Sequence, residues 1–125
     1  MKNKLPQFEN YACTGDSITW IKDGFDITAT LMHDEHSKPY DSDSYSKKVT
    51  AAWENDQWFF VGVVISVSRN GVEIDDHAAS LWGIECNYPK KGSNKYLAEV
   101  ALELESEAIE SAKKSSEKMI LALTS

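Results

Sequence analysis

Two short stretches of this chain hold side chains of the types that carry out chemistry. The first is His33-Asp34-Glu35-His36, two imidazoles and two carboxylates in succession, with His77 or Asp41 as further ligands from elsewhere in the chain. Imidazole nitrogens and carboxylate oxygens are groups from which zinc sites are built. Such a site needs a rigid frame and supporting hydrogen bonds behind its ligands, whereas His33 and His36 lie in a segment rich in Ser and Asp and broken by Pro39. Charged segments of this kind are ordinarily solvated surface, so no metal is assigned to it.

The second stretch is Asp75-Asp76-His77, followed by Ser80 and, further on, Cys86. An imidazole oriented by a carboxylate can take the proton of a hydroxyl or thiol and turn it into a nucleophile. What such a reaction needs around it is missing: there is no Gly-x-Ser-x-Gly elbow and no glycine-rich oxyanion loop. Neither Gly-x-x-x-x-Gly-Lys nor Gly-x-Gly-x-x-Gly occurs, so no phosphate-binding or dinucleotide signature is present. No catalytic residue and no cofactor follow from these patterns. Asp75, Asp76 and His77 are instead candidates for a binding surface shared with Trp82, because exposed tryptophan is enriched at binding hot spots. The alternative is a small-ligand-binding protein or small enzyme with a pocket near Asp75, Asp76, His77 and Cys86.

A third feature is a row of acid. Glu99, Glu103, Glu107 and Glu110 recur at helical spacing with no lysine among them, and like charges on neighbouring turns repel. A row of that kind is either a plain solvated face or a surface that meets a basic patch on a partner, where charge complementarity speeds association and excludes wrong partners.

The elements that must position these groups are legible in outline. Trp58 to Ile74 is the longest β-type run, and Asn70-Gly71 within it supplies the positive φ values of a two-residue hairpin turn. Alternation places Val61, Val63, Ile65 and Val67 on a core face, with Val72 and Ile74 brought onto it by the turn. Phe60, Val64, Ser66 and Ser68 then share the other face with Glu73, Asp75 and His77. Gly62 marks a bulge or a close approach. Asp23-Gly24 makes a second hairpin in which Ile18 and Trp20 pair with Ala29 and Ile27, and Phe25 and Leu31 lie on that same face. Between the hairpins, residues 33–45 form an acidic loop. Residues 46–56 follow as a short helix capped by Ser44 or Ser46 and pinned to the sheet by Trp53. Residues 77–87 suggest one further short strand. From Asn94 to about Leu121, Leu97, Ala101, Leu104, Ala108 and Ala112, widened by Val100 and Ile109, make the apolar stripe of a long helix. Ser93 or Asn94 is its cap, Lys113, Lys114 and Lys118 complement its dipole, and Ser115 and Ser116 weaken its end.

The expected fold is therefore α+β, one domain over residues 1–125: an antiparallel sheet of four to five strands with the long helix packed on one face. Residues 1–10 read as a loose arm whose Leu5 and Phe8 dock on the domain. At 125 residues the chain can bury a single core without staples, and Cys13 and Cys86 are too few for a disulfide framework. A net charge of −7 opposes attraction to nucleic acid or anionic lipid, and no apolar run is long enough to span a membrane. With no signal-like segment after Met1, the reading is cytoplasmic.

The blocks Tyr11 to Trp20 (YACTGDSITW), Gly62 to Val72 (GVVISVSRNGV), His77 to Pro89 (HAASLWGIECNYP) and Tyr96 to Ala101 (YLAEVA) resemble a family of small phage and prophage proteins. The resemblance implies a phage accessory protein acting in the host cytoplasm and carries over no catalytic residue. By analogy, small acidic phage proteins without catalytic motifs are often inhibitors of the anti-CRISPR or anti-restriction type. The expectation is a non-enzymatic inhibitor that binds a host protein complex through Glu99, Glu103, Glu107, Glu110 and an aromatic patch at Trp82, without contacting nucleic acid itself. A homo-oligomer paired through residues 113–123 is a third reading.

Overall fold

A computed structural model describes residues 6–124. Its chain order is β1 (Ser17–Lys22), β2 (Phe25–His33), a 3-10 turn (Pro39–Asp41), α1 (Lys47–Glu54), β3 (Phe59–Arg69), β4 (Val72–Cys86), α2 (Lys95–Glu103) and α3 (Glu105–Thr124). The strands form one antiparallel sheet in the order β1-β2-β3-β4, and the α+β architecture is the expected one.

Both hairpins close as their turn residues dictate. Asp23 and Gly24 take φ of 54° and 79°, and Asn70 and Gly71 take 53° and 78°, the double positive φ that right-twisted strands require. Lys22 pairs with Phe25, Trp20 with Ile27 and Ile18 with Ala29. One face of the sheet carries Ile27, Leu31, Val61, Val63, Ile65 and Val67, all fully buried beneath Leu97, Val100, Ala101, Ala108 and Ala112 of the helices. The small alanines let α2 and α3 lie close on the strands.

β4 departs from the expected pattern. A single strand of fifteen residues runs where a short return strand and a separate later strand were anticipated, and it faces only the eleven residues of β3. The surplus is absorbed at three places. Glu73 and Asp75 pair with Ser68 and Val67, leaving Ile74 unmatched; Asp76, His77 and Ala78 together oppose only Ser66; Trp82 and Gly83 together oppose only Gly62. Each bulge re-aims the side chains after it. Asp75 consequently lies opposite Val67 on the helix side, where its carboxylate accepts hydrogen bonds from Ser111 at 2.6 Å and Ser115 at 3.5 Å. The expected placement of Asp75 on the opposite face is thus corrected, and Ser115 ties α3 to the sheet where it was expected to weaken the helix end. Val72 lies past the end of the core and is exposed.

The C-terminal stripe packs as its period requires, but as two helices meeting at Leu104, whose N–H is shared between the carbonyls of Val100 and Ala101. α3 continues past Leu121 to Thr124, so Lys113, Lys114 and Lys118 fall before its last turn, which holds no basic residue. Met119, Ile120, Leu121 and Leu123 remain exposed there.

Three further expectations change. Trp53 is half-buried and meets Tyr40 edge-on at 5.6 Å; Trp58, fully buried, anchors α1 by donating its indole N–H to the Val49 carbonyl at 2.9 Å. Ser46 is the cap of α1, its hydroxyl accepting from the Val49 N–H at 3.2 Å. Asn94 caps nothing. Its side chain, 3% exposed, donates to the carbonyls of Glu9 and Asn10 and to Asn87 Oδ1, and accepts from the Asn87 N–H. Asn87 in turn exchanges two 2.8 Å hydrogen bonds with the backbone of Ala12. These two amides clamp the N-terminal arm to the end of β4, so the arm is held over its described part, with Phe8 and Ala12 in the core. Leu5 lies outside the described residues. Replacing Asn94 by Ala leaves the part-buried Glu9 and Asn10 carbonyls and the Asn87 N–H without this partner. It should cost about 3 kcal/mol of unfolding free energy in urea titration and expose the segment before Ala12 to limited proteolysis.

Candidate functional site

The bulge at Trp82-Gly83 builds the site. Gly83 takes φ of 75°, a conformation that favours glycine, and its N–H turns away from β3. Asp34, at the end of β2, supplies the missing acceptor: its carboxylate takes hydrogen bonds from the Gly83 N–H at 2.9 Å, the His36 N–H at 2.9 Å, the Ser37 N–H at 3.1 Å and the Ser37 hydroxyl at 2.8 Å. Asp34 is only 6% exposed. Burial opposes its charge, but the bonds from the Ser37 hydroxyl and the three amides outweigh it and hold the carboxyl below its ordinary value.

This arrangement decides the fate of the first chemical stretch. Both Asp34 oxygens are occupied by the protein's own donors, and among the described residues no group of three His, Cys, Asp or Glu side chains is placed to hold a metal ion. The 33–45 loop is organised by a carboxylate bound to backbone, a role the sequence reading missed. The available signal was Asp34 followed by Ser37, a spacing at which Asx-type turns form.

On the open face of the sheet, the bulge lays the Trp82 indole directly over Gly62. A Cβ on Gly62 would fall 2.3 Å from Cε3 of that ring, so only glycine permits the contact. Trp82 is 45% exposed, and its indole N–H donates to Ser80 Oγ at 3.2 Å, which fixes the ring's edge. It forms a ridge between two shallow concavities. One, about 400 Å³, is lined by Thr30, Met32, Val64, Ser66, Asp76 and His77; the other, about 440 Å³, by His33 to His36. All three histidines of the chain thus flank one tryptophan.

The second chemical stretch is only partly assembled. His77 Nε2 lies 2.9 Å from Ser80 Oγ, the start of a nucleophile–base pair. Asp75 does not complete it, because it accepts from the His77 backbone N–H and is otherwise engaged by α3. Cys86 is fully buried at the far end of β4, its thiol directed at the Ala12 carbonyl, and burial, with Cys13 and Asp16 adding to it, pushes that thiol up to about 12. A thiol in that state is not a nucleophile near neutral pH. The concavity holding Asp76 and His77 includes neither Asp75 nor Cys86, so the pocket anticipated from those four residues is not formed there.

Glu99, Glu103, Glu107 and Glu110 are all exposed on α2 and α3, the helices that cover the buried face of the sheet; Glu99 reaches the β4 edge, where it lines a groove with Gly83 and Glu85. Glu105 is set apart from them, accepting from the Trp20 indole N–H at 2.7 Å. None of the four glutamates lines either concavity beside Trp82. No helix is long and apolar enough to cross a membrane among the described residues. Comparison with family models, with curated proteins and with solved structures finds no match to this chain.

The Asp34 arrangement gives a pH-dependent prediction. Its carboxyl is depressed on folding, so its contribution is complete above the ordinary Asp value of 3.8 and is lost as pH falls through the lower folded value. Asp34→Asn should cost about 2 kcal/mol in urea unfolding between roughly pH 5 and 7, and the gap to the native sequence should close in stronger acid. A gap that stays constant into acid would show that the charge is not what holds the bulge.

Proposed function

We propose that this chain is a small non-enzymatic binding protein, an inhibitor that docks on a host nucleic-acid-handling or defence protein. The observation that carries the reading is Trp82: a large aromatic ring, half exposed on an uncovered sheet face, seated on a glycine and tethered at its N–H. A ring held in this way loses little freedom on binding, and tryptophan is among the residues enriched at hot spots. Met32 and Val64 supply apolar area beside it, and Asp76 and His77 a polar rim. The phage accessory context comes from the sequence blocks alone.

The acidic row takes a distinct part in this reading. Because none of its glutamates lines the concavities beside Trp82, it acts at long range, favouring approach to a basic, nucleic-acid-binding partner, while the tryptophan face makes the contact. The two contributions separate by experiment. Tagged protein incubated with bacterial lysate should recover a nucleic-acid-processing complex. Trp82→Ala should remove it at every salt concentration, a loss of about 2 kcal/mol or more in affinity. Glu103→Lys with Glu107→Lys should slow association at low salt and have little effect at about 0.5 M, where exposed charges are screened. Undiminished recovery by the Trp82 variant would overturn the assignment of the contact face.

A further inference from the structure

The end of the molecule where the N-terminal arm, the β4–α2 loop and the start of α2 meet holds a cavity of about 550 Å³. Its charge is unlike that of the rest of the protein. Lys90, Lys91 and Lys95 all line it and, among the described residues, no Asp or Glu does, in a chain with 20 acidic and 13 basic residues. An adjoining groove shares these lysines but adds Glu85 and Glu99, so an anion is directed to the first cavity.

The cavity has fixed walls. Tyr88 is braced against Trp58 and Tyr45 at ring separations of 5.1 and 6.0 Å, and the Asn87–Asn94 clamp carries the arm that brings Tyr11 to the rim. Gly92 turns the loop with φ of 74°, which sets Lys90, Lys91 and Lys95 around one space. The first amides of α2 are already bonded to the carbonyls of Gly92, Ser93 and Asn94, so the lysine ammonium groups are the donors on offer. Ammonium groups grouped in this way suit a phosphate monoester, whose oxygens accept charge-assisted hydrogen bonds. The volume exceeds what inorganic phosphate fills and lies in the range of small-molecule sites. Tyr11, 66% exposed, and Tyr88 provide aromatic surface beside the lysines.

We propose that this cavity binds a small phosphorylated molecule carrying a planar ring, of the chemical class of a nucleoside monophosphate, with the phosphate among Lys90, Lys91 and Lys95 and the ring against Tyr11 and Tyr88. The site is independent of the Trp82 face and uses none of the sequence signatures of nucleotide-binding loops.

Titration of adenosine monophosphate into isotope-labelled protein, followed by amide NMR, tests it. Saturable shifts confined to Tyr11 and residues 87–95 are expected. Lys90→Glu with Lys91→Glu should weaken binding by about tenfold or more, while Lys113→Glu with Lys114→Glu, an equal change of net charge on α3, should leave it unchanged. No saturable shift at millimolar nucleotide would overturn the proposal. So would equal weakening by both double variants, or binding of adenosine or of inorganic phosphate as tight as that of the nucleotide.

Discussion

The hydrogen bond from the Gly83 N–H to the Asp34 carboxylate is the constraint on which the functional face depends. β4 is longer than the strand it pairs with, and a bulge leaves a backbone donor without its ladder partner. Left unpaired, this part-buried donor forgoes a hydrogen bond to a charged group, worth on the order of 1.5–3 kcal/mol. Asp34 supplies that bond with a charged acceptor that also ties down the amides of His36 and Ser37. One carboxylate thereby orders the start of the 33–45 loop, fixes the register of the edge strand and sets where Trp82 points.

The consequences spread through the sheet. With Trp82 and Gly83 sharing Gly62 as their partner, the indole is carried to the open face, while Ile84 and Cys86 return to the buried one. The wider bulge upstream takes up Asp76, His77 and Ala78 opposite Ser66, and Asp75 is left under α3 to bond Ser111. An edge strand with this much irregularity is also a poor template for pairing with another chain, which suits a protein whose other edge, β1, is short. The molecule is consequently two-sided: helices with an acidic outer row on one face, an aromatic ridge flanked by histidines on the other.

Much of this architecture is legible in the sequence because local rules decide it. Asn70-Gly71 and Asp23-Gly24 specify their turns, alternation specifies the face of Ile27, Leu31, Val63 and Ile65, and the period of Leu97, Ala101, Ala108 and Ala112 specifies the packed stripe. What is not legible is everything set by long-range polar partners. Asn94 has the type and position of a helix cap, and only the arrival of Glu9 and Asn10 beside it turns the side chain to another task. Asp34 sits among potential metal ligands; its spacing to Ser37 signals a local turn, but its bond to the Gly83 N–H, far along the chain, has no local signal. The single β4 strand is hidden because its bulges interrupt the period of two on which strand reading rests. Lys90, Lys91 and Lys95 look like a charged loop until Tyr11 and the arm close a space around them.

Everything on the open face turns on Trp82 being seated on Gly62 by the bulge. An aromatic ring stacked on a glycine displaces that glycine's α-proton resonances upfield through its ring current, so proton NMR reads the contact directly. Strongly upfield α-protons at Gly62 with cross-peaks to the Trp82 ring are expected, both lost in the Trp82→Ala variant. Gly62 α-protons at ordinary positions, without cross-peaks to the indole, would contradict it.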